Sequence, residues 1–207
     1  MRAPGVIVLA AGGSTRMGVP KQLLPWGRTT LLRHACETAV RAGLGPVVVV
    51  LGRESAACEQ ECANLTLTTV TNPAWTAGLG SSIAVGVRQL LANSPEVSGA
   101  LIMLADQPGV TAEWLKELAQ HWKPPAWPIV ATSYDSAGGV PAIFDGEFFP
   151  DLLRLPPREG ARLLLRREHH RTQRLTPERA FLDLDTPDDY RSAQPPPIKP
   201  HQSPTGS

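Results

Sequence analysis

The chain has 207 residues, 42% of them hydrophobic and 19% charged, a globular composition that excludes a fibrous or wholly disordered protein. Twenty Lys and Arg stand against nineteen Asp and Glu, a formal net charge of +1, so bulk electrostatics give no reason to expect a nucleic-acid or membrane partner. Apolar runs such as 47–51 are far too short to cross a bilayer, residues 6–11 lack the basic flank of a signal peptide, and an odd count of three cysteines without regular pairing argues for a cytoplasmic address.

In chain order, residues 6–10, 47–51, 67–70, 101–104 and 129–132 read as strands. They are continuous runs rather than alternating ones, as expected for strands covered on both faces. Residues 29–42 place Leu31, Leu32, Ala35, Ala39 and Val40 on one helical stripe that Gly43 stops. Residues 82–91 repeat the pattern with Ile83, Val87, Leu90 and Leu91, and Thr111 reads as the N-cap of a helix whose inner face is Trp114, Leu115, Leu118 and Trp122. Strand–helix–strand alternation predicts an α/β fold, a Rossmann-like three-layer α/β/α sandwich with a mostly parallel sheet. Further on, residues 134–140 read as turn-rich, 144–167 as helical with proline interruptions, and 180–184 as the last strand, before Thr186, Pro187 and Asp189 open a short helix. The expected organisation is one domain over residues 1–191 and a disordered Pro-rich tail over 192–207. Cys36, Cys58 and Cys62 are an odd set without regular pairing, which points to reduced, structural thiols.

The segment from Leu9 to Lys21, LAAGGSTRMGVPK, carries the strongest chemical signal. It starts where the first strand ends, the edge of a parallel sheet at which ligands bind. Gly12, Gly13 and Gly18 let backbone amides approach a ligand closely, and a run of such N–H groups suits a triphosphate. Arg16 and Lys21 add full positive charges, one as a fork and one as a mobile point. Val19 and Pro20 before Lys21 exclude a Walker loop, and G-x-G-x-x-G is absent, which removes hydride transfer on a dinucleotide.

Chemistry on phosphates also calls for Mg²⁺, held by one or two carboxylates together with phosphate oxygens and water. Asp106 follows the strand at 101–104 and falls at the same sheet edge as the glycine loop; a turn-forming role beside Gln107-Pro108-Gly109 is its alternative. Asp183 and Asp185 flank Leu184 at the end of the expected last strand, and Asp185 reads either as a metal ligand or as a helix N-cap.

Four segments together, LAAGGSTRMGVPKQLLPWG, NPAWTAGLGSSI, LIMLADQP and FLDLDTPDDY, resemble the MobA-like nucleotidyltransferase family over about residues 5–191. The resemblance implies a fold of the nucleotide-diphospho-sugar transferase type and an acceptor phosphate attacking the α-phosphorus of an NTP, with loss of pyrophosphate. Carried over by position, Arg16 and Lys21 stabilise the triphosphate and the transition state, and Asp106 with Asp185 holds Mg²⁺. Leu9, Ala10, Ala11, Gly12, Gly13 and Ser14 bind the nucleotide, together with Gly78, Gly80, Ser81 and Ser82 at a helix start that lines the nucleoside and acceptor pocket. Ala10-Ala11-Gly12 is similar to the cytidylyl branch, which implies CTP as donor, a molybdopterin-type acceptor, and a molybdoenzyme as recipient of the product. Two segments depart from the family pattern on the acceptor side: Gly138-Gly139-Val140-Pro141 and Pro157-Arg158-Glu159-Gly160-Ala161-Arg162.

Alternatives within the fold are a guanylyl or a sugar- or polyol-phosphate nucleotidyltransferase. From another class comes a non-catalytic carrier of the finished cofactor, which has no need of the metal carboxylates. The histidines have no ligand spacing, Arg162, Arg166, Arg167, Arg171 and Arg174 read as a solvated face, and Trp75, Trp114, Trp122 and Trp127 as packing residues.

Overall fold

The structure, a computed structural model, describes residues 3–13, 20–134 and 137–194. The strands are β1 (Pro4–Ala10), β2 (Pro25–Trp26), β3 (Thr29–Thr30), β4 (Val47–Leu51), β5 (Thr68–Thr71), β6 (Gly99–Leu104), β7 (Ile129–Tyr134), β8 (Ala137–Asp145) and β9 (Thr172–Leu175). The helices are α1 (Leu31–Ala42), α2 (Ser55–Glu61), α3 (Leu79–Asn93), α4 (Ala112–His121), α5 (Phe149–Leu153), α6 (Ala161–Arg167) and α7 (Pro187–Ala193). Seven strands form one sheet in the order β5-β4-β1-β6-β8-β7-β9, and β8 alone runs against the others; β2 and β3 make a separate small hairpin.

Alternate residues of the central strands feed two cores. Val6, Val8, Val49, Leu101 and Met103 meet α1 and α4 on one face. Ile7, Leu9, Val48, Val50 and Ile102 meet α3, α5 and α6 on the other. This is the three-layer sandwich that the continuous apolar runs predict, and every residue of β1 and β4 is buried. α1 begins at Leu31 with Thr30 as N-cap and ends at Gly43 in the left-handed conformation; Thr111 caps α4 through the Trp114 N–H.

Four expectations are corrected. Residues 134–140 are largely strand, because β7 continues to Tyr134 and β8 begins at Ala137; cross-strand pairing overrides a glycine-rich composition. Phe144 lies in β8, and helix between 144 and 167 is limited to a 3-10 turn at Gly146–Phe148 that leads into α5, and to α6 beyond Pro156-Pro157. Residues 180–184 join no sheet; Phe181 and Leu184 are buried while Leu182 and Asp183 between them are exposed, a spacing of three rather than the two of a strand. The last strand is instead β9, whose sequence TQRL has a single apolar residue. β5 is a half-exposed edge strand, not one covered on both faces. α7 runs to Ala193, and the expected tail falls, from residue 195, outside the described residues.

Because the strands other than β8 are parallel, the segments following β1, β4, β5, β6, β7 and β9 all emerge at one edge of the sheet. That edge carries the site.

Candidate active site

The β1 exit is shaped from behind by Gln22. Its side chain is buried, and Nε2 donates to the carbonyls of Ala10 at 2.8 Å and Gly12 at 2.6 Å, so the chain turns away from β1 on a fixed path. Those carbonyls are therefore spent inward. Gly13 has no room for a side chain: a Cβ there would stand 2.5 Å from Cζ3 of Trp75. Ser14, Arg16 and Gly18 lie outside the described residues.

The β5 exit is organised by Asn72, 1% exposed. Its Oδ1 accepts from the Ala74 N–H, and its Nδ2 reaches the hydroxyls of Ser81 at 2.9 Å and Ser82 at 3.0 Å. One buried amide thus sets both the turn that presents Trp75 and the first turn of α3. Gly78 precedes that helix at φ +123°, a conformation that favours glycine. The Gly80 N–H donates to the Pro157 carbonyl at 2.9 Å, and a Cβ on Gly80 would lie 2.3 Å from the Pro156 carbonyl oxygen. Gly80 is therefore glycine so that residues 156–160 can pack on the start of α3, and its amide is already engaged. Ser81 is likewise turned inward, to the carbonyls of Ala74 and Gly78.

Asp106 follows β6 at the same edge. Its Oδ2 lies 2.5 Å from Lys21 Nζ, and Asp185 Oδ1 lies 2.9 Å from the same nitrogen. Burial works against the Lys21 charge, but the two carboxylates outweigh it and hold the ammonium above its ordinary pKa. Asp106 Oδ1 is buried with no hydrogen-bond partner among the described residues. Thr186, not Asp185, is the N-cap of α7: its hydroxyl accepts from the Asp189 N–H, and the Asp189 carboxylate returns to the Thr186 N–H. Asp106 stands in the turn that leaves β6, and the next turn is closed by Val110 N–H onto the Gln107 carbonyl.

Asp183 is placed differently. Gln107 Nε2 donates to its Oδ1 at 2.8 Å, with the Tyr134 hydroxyl at 3.3 Å from the same nitrogen, and that hydroxyl donates to the Val140 carbonyl. Burial, then the neighbouring Asp106 and Asp185 charges, push the Asp183 carboxyl above its usual range against the Gln107 hydrogen bond. Tyr134 is also raised, first by burial and then by Asp183. Among the described residues no group of three or more His, Cys, Asp or Glu side chains is arranged around a metal. The available donor set is a carboxylate pair with one buried, unsatisfied oxygen, which suits a hard cation that takes its other ligands from phosphate and water.

Two clefts open at this edge and share Leu9, Leu79 and Leu104. The first, about 270 Å³, is lined by residues 9–12, Lys21, Gln22, Trp75, Gly78, Ser82 and Asp106. The second, about 450 Å³, is lined by Gln107, Tyr134, Gly139, Val140, residues 159–162, Arg166 and residues 181–183. The structure thus brings Leu9, Ala10, Ala11, Gly12, Gly78, Ser82, Lys21 and Asp106 together on one cleft. Trp75, read from the sequence as a packing residue, stands on it too. The basic run divides: Arg167 pairs with Asp151 and Arg171 with Glu147 on the surface, whereas Arg162 and Arg166 face the second cleft. Sequence reasoning did not single out Gln22, Asn72 or Tyr134. Gln22 and Asn72 act through buried side-chain amides on backbone and hydroxyl groups, for which spacing offers no signal. Cys36, Cys58 and Cys62 are buried and unbridged, with Cys36 and Cys62 Sγ 3.8 Å apart. No helix among the described residues is long and apolar enough to cross a membrane.

The chain is 33% identical over 174 residues to a nicotine blue oxidoreductase of Paenarthrobacter nicotinovorans, covering 78% of this chain and 81% of that one. It is 24% identical over 195 residues to the molybdenum cofactor cytidylyltransferase of Escherichia coli, covering 94% and 97%. Among solved structures, the Rv0371c protein of Mycobacterium tuberculosis superposes with a TM-score of 0.80 at 30% identity over 92% of this chain and 96% of that one. The same protein in complex with manganese gives 0.75 at 29% identity, over 92% and 97%. Residues 6–173 match the MobA-like NTP transferase domain, and the chain belongs to that nucleotidyltransferase family.

Proposed function

We propose that the chain transfers CMP from CTP to the phosphate of a molybdopterin-type acceptor in the cytoplasm, with Mg²⁺, and passes the dinucleotide to a molybdoenzyme. The observation that carries this reading is the placing of Lys21 between Asp106 and Asp185, on the cleft that the β1 exit lines and beside a second cleft. CTP lies in the first cleft, against Leu9, Ala10, Ala11 and Gly12, and the acceptor in the second. Arg16 completes the triphosphate site in this reading.

In the reaction, an acceptor phosphate oxygen forms a bond to the α-phosphorus. The bond from that phosphorus to the α–β bridging oxygen breaks, and its electron pair leaves with pyrophosphate. Lys21 offers a compact charge to the phosphate oxygens as negative charge shifts between them. Asp106 and Asp185 would hold the divalent cation, which when bound neutralises charge on the reacting phosphates. Leu9, Leu79 and Leu104, at the junction of the clefts, reduce water access to the α-phosphorus and so favour transfer over hydrolysis.

The choice of cytosine is supported by Ala10-Ala11-Gly12 and by the cytidylyltransferase relative, which matches nearly the whole chain at 24% identity. The test offers CTP, GTP, ATP and UTP separately with Mg²⁺ and molybdenum cofactor and follows pyrophosphate. Release with CTP alone is expected. Release with GTP would reassign the base, and nucleotide binding without release from any of the four would point to another acceptor or to a carrier.

A further inference from the structure

The Lys21 ammonium occupies the point at which a cation would bridge the two carboxylates. Asp106 Oδ2 and Asp185 Oδ1 both lie within 3 Å of its nitrogen. The aspartates do not depend on Lys21 for their approach. The Leu184 N–H donates to the Asp106 carbonyl at 3.1 Å, the Asp185 N–H to the Asp183 carbonyl at 3.1 Å, and Gln107 holds Asp183. Backbone bonds therefore gather negative charge here whatever the lysine does. The Lys21 side chain is 13% exposed and Asp106 21%, whereas Asp185 is 51% exposed, so the pair is desolvated on one side and open on the other.

We propose that Lys21 is a place-holder for the divalent cation: its ammonium fills the carboxylate pair until a triphosphate draws it away, so that the metal enters with or after the nucleotide. This rests on the nucleotidyltransferase reading above. A divalent ion and an ammonium a few ångströms apart repel strongly in a partly desolvated site, so the two compete for one position. A lysine on a four-carbon stem can exchange one anion for another with no backbone movement. Its new partner is on the same cleft, where residues 9–12 and Lys21 together form the wall. Asp106 Oδ1, buried and without a partner among the described residues, is the donor atom the ammonium leaves unused. Without nucleotide the site resists loose metal; with nucleotide it gains both a cation and a lysine aimed at phosphate.

The test is Mn²⁺ binding to the full chain, followed by loss of the free-ion spectrum in electron paramagnetic resonance, with no acceptor and no turnover. Lys21→Met without nucleotide is expected to bind Mn²⁺ roughly tenfold more tightly than wild type, a coupling of the usual allosteric size. Adding Asp106→Asn to that variant should remove the gain. α,β-Methylene CTP, after subtraction of Mn²⁺ held by the nucleotide alone, should raise affinity in wild type and much less in Lys21→Met. Equal affinity of the two proteins without nucleotide would overturn the proposal, as would a gain that survives Asp106→Asn. If Lys21→Met does not fold, Lys21→Gln keeps polar contact with both carboxylates and is read against the same two outcomes. Tighter Mn²⁺ binding by the variant, with no response of wild type to methylene analogues of CTP, GTP, ATP or UTP, would uphold the competition and contradict the nucleotidyltransferase reading.

Discussion

The backbone N–H of Leu184 donates to the carbonyl of Asp106 across 3.1 Å, joining a segment near the end of the chain to the exit of β6. The bond sets Asp185 beside Asp106 without any strand pairing. The second carboxylate is thus held by loop contacts rather than by a sheet, and the Leu184 contact itself uses the Asp106 backbone and not its side chain.

Asp106→Ala should accordingly abolish turnover and leave the fold intact. The loss expected is ~1000-fold or more, the scale on which a metal's several kcal/mol of charge stabilisation acts. Pyrophosphate release and a thermal melt on the same monodisperse sample check both halves; unchanged activity would remove Asp106 from the site.

Gln22→Ala strips the donor from two carbonyls in a buried place. About 1–3 kcal/mol of stability should be lost, read as a lower denaturant midpoint, together with weaker CTP binding as residues 10–12 loosen. A variant with wild-type midpoint and wild-type affinity would show that the amide shapes nothing.

Trp75 should report on nucleotide. CTP is expected to quench part of the intrinsic fluorescence in wild type, and Trp75→Phe should bind CTP but lose that change. Gly13→Ala, whose new Cβ meets Cζ3 of Trp75 at 2.5 Å, should weaken CTP binding by displacing the ring or the chain. Wild-type CTP affinity in Gly13→Ala would mean that neither feature matters to the cleft.

Asp183 makes a prediction whose sign follows from its raised pKa. The folded state binds the Asp183 proton more readily than the unfolded chain, so ionising it costs stability. That cost is absent below the ordinary carboxylate value of about 3.9 and complete above the raised folded value. Asp183→Asn keeps an oxygen for Gln107 and removes the charge. Its melting temperature should exceed that of wild type near pH 7 by less than about 2 °C, small because Asp183 is only partly shielded from solvent. The gain should vanish toward pH 4; a gain of equal size at both values would rule out the charge as its origin.

The parallel core was legible because β1, β4 and β6 are buried on both faces and carry unbroken apolar runs. The antiparallel β8 was not, since glycines and prolines there satisfy the rule for turns while the pairing with β6 and β7 comes from distant residues. The same limit explains β9 and the misread stretch at 180–184. A short polar strand is stabilised by its neighbour β7, whereas the apolar residues of 180–184 are held by the burial of Phe181 and Leu184 and by the Leu184 bond to Asp106 rather than by strand pairing. In the site, Lys21 and Asp106 could be named because charge beside a strand end is visible in a sequence. That Asp185 contacts Lys21 from 164 residues away, or that Trp75 rests on Gly13, depends on Asn72 and on the Leu184 contact, which leave no periodic trace.

The most direct test of the central claim is to follow the α-phosphate of CTP. With [α-³²P]CTP, Mg²⁺ and molybdenum cofactor, the label should move into the acceptor in step with unlabelled pyrophosphate, and Asp106→Ala should stop both. Label that stays in CTP, or that appears in CMP or CDP with none in the acceptor, would contradict nucleotidyl transfer by this cluster.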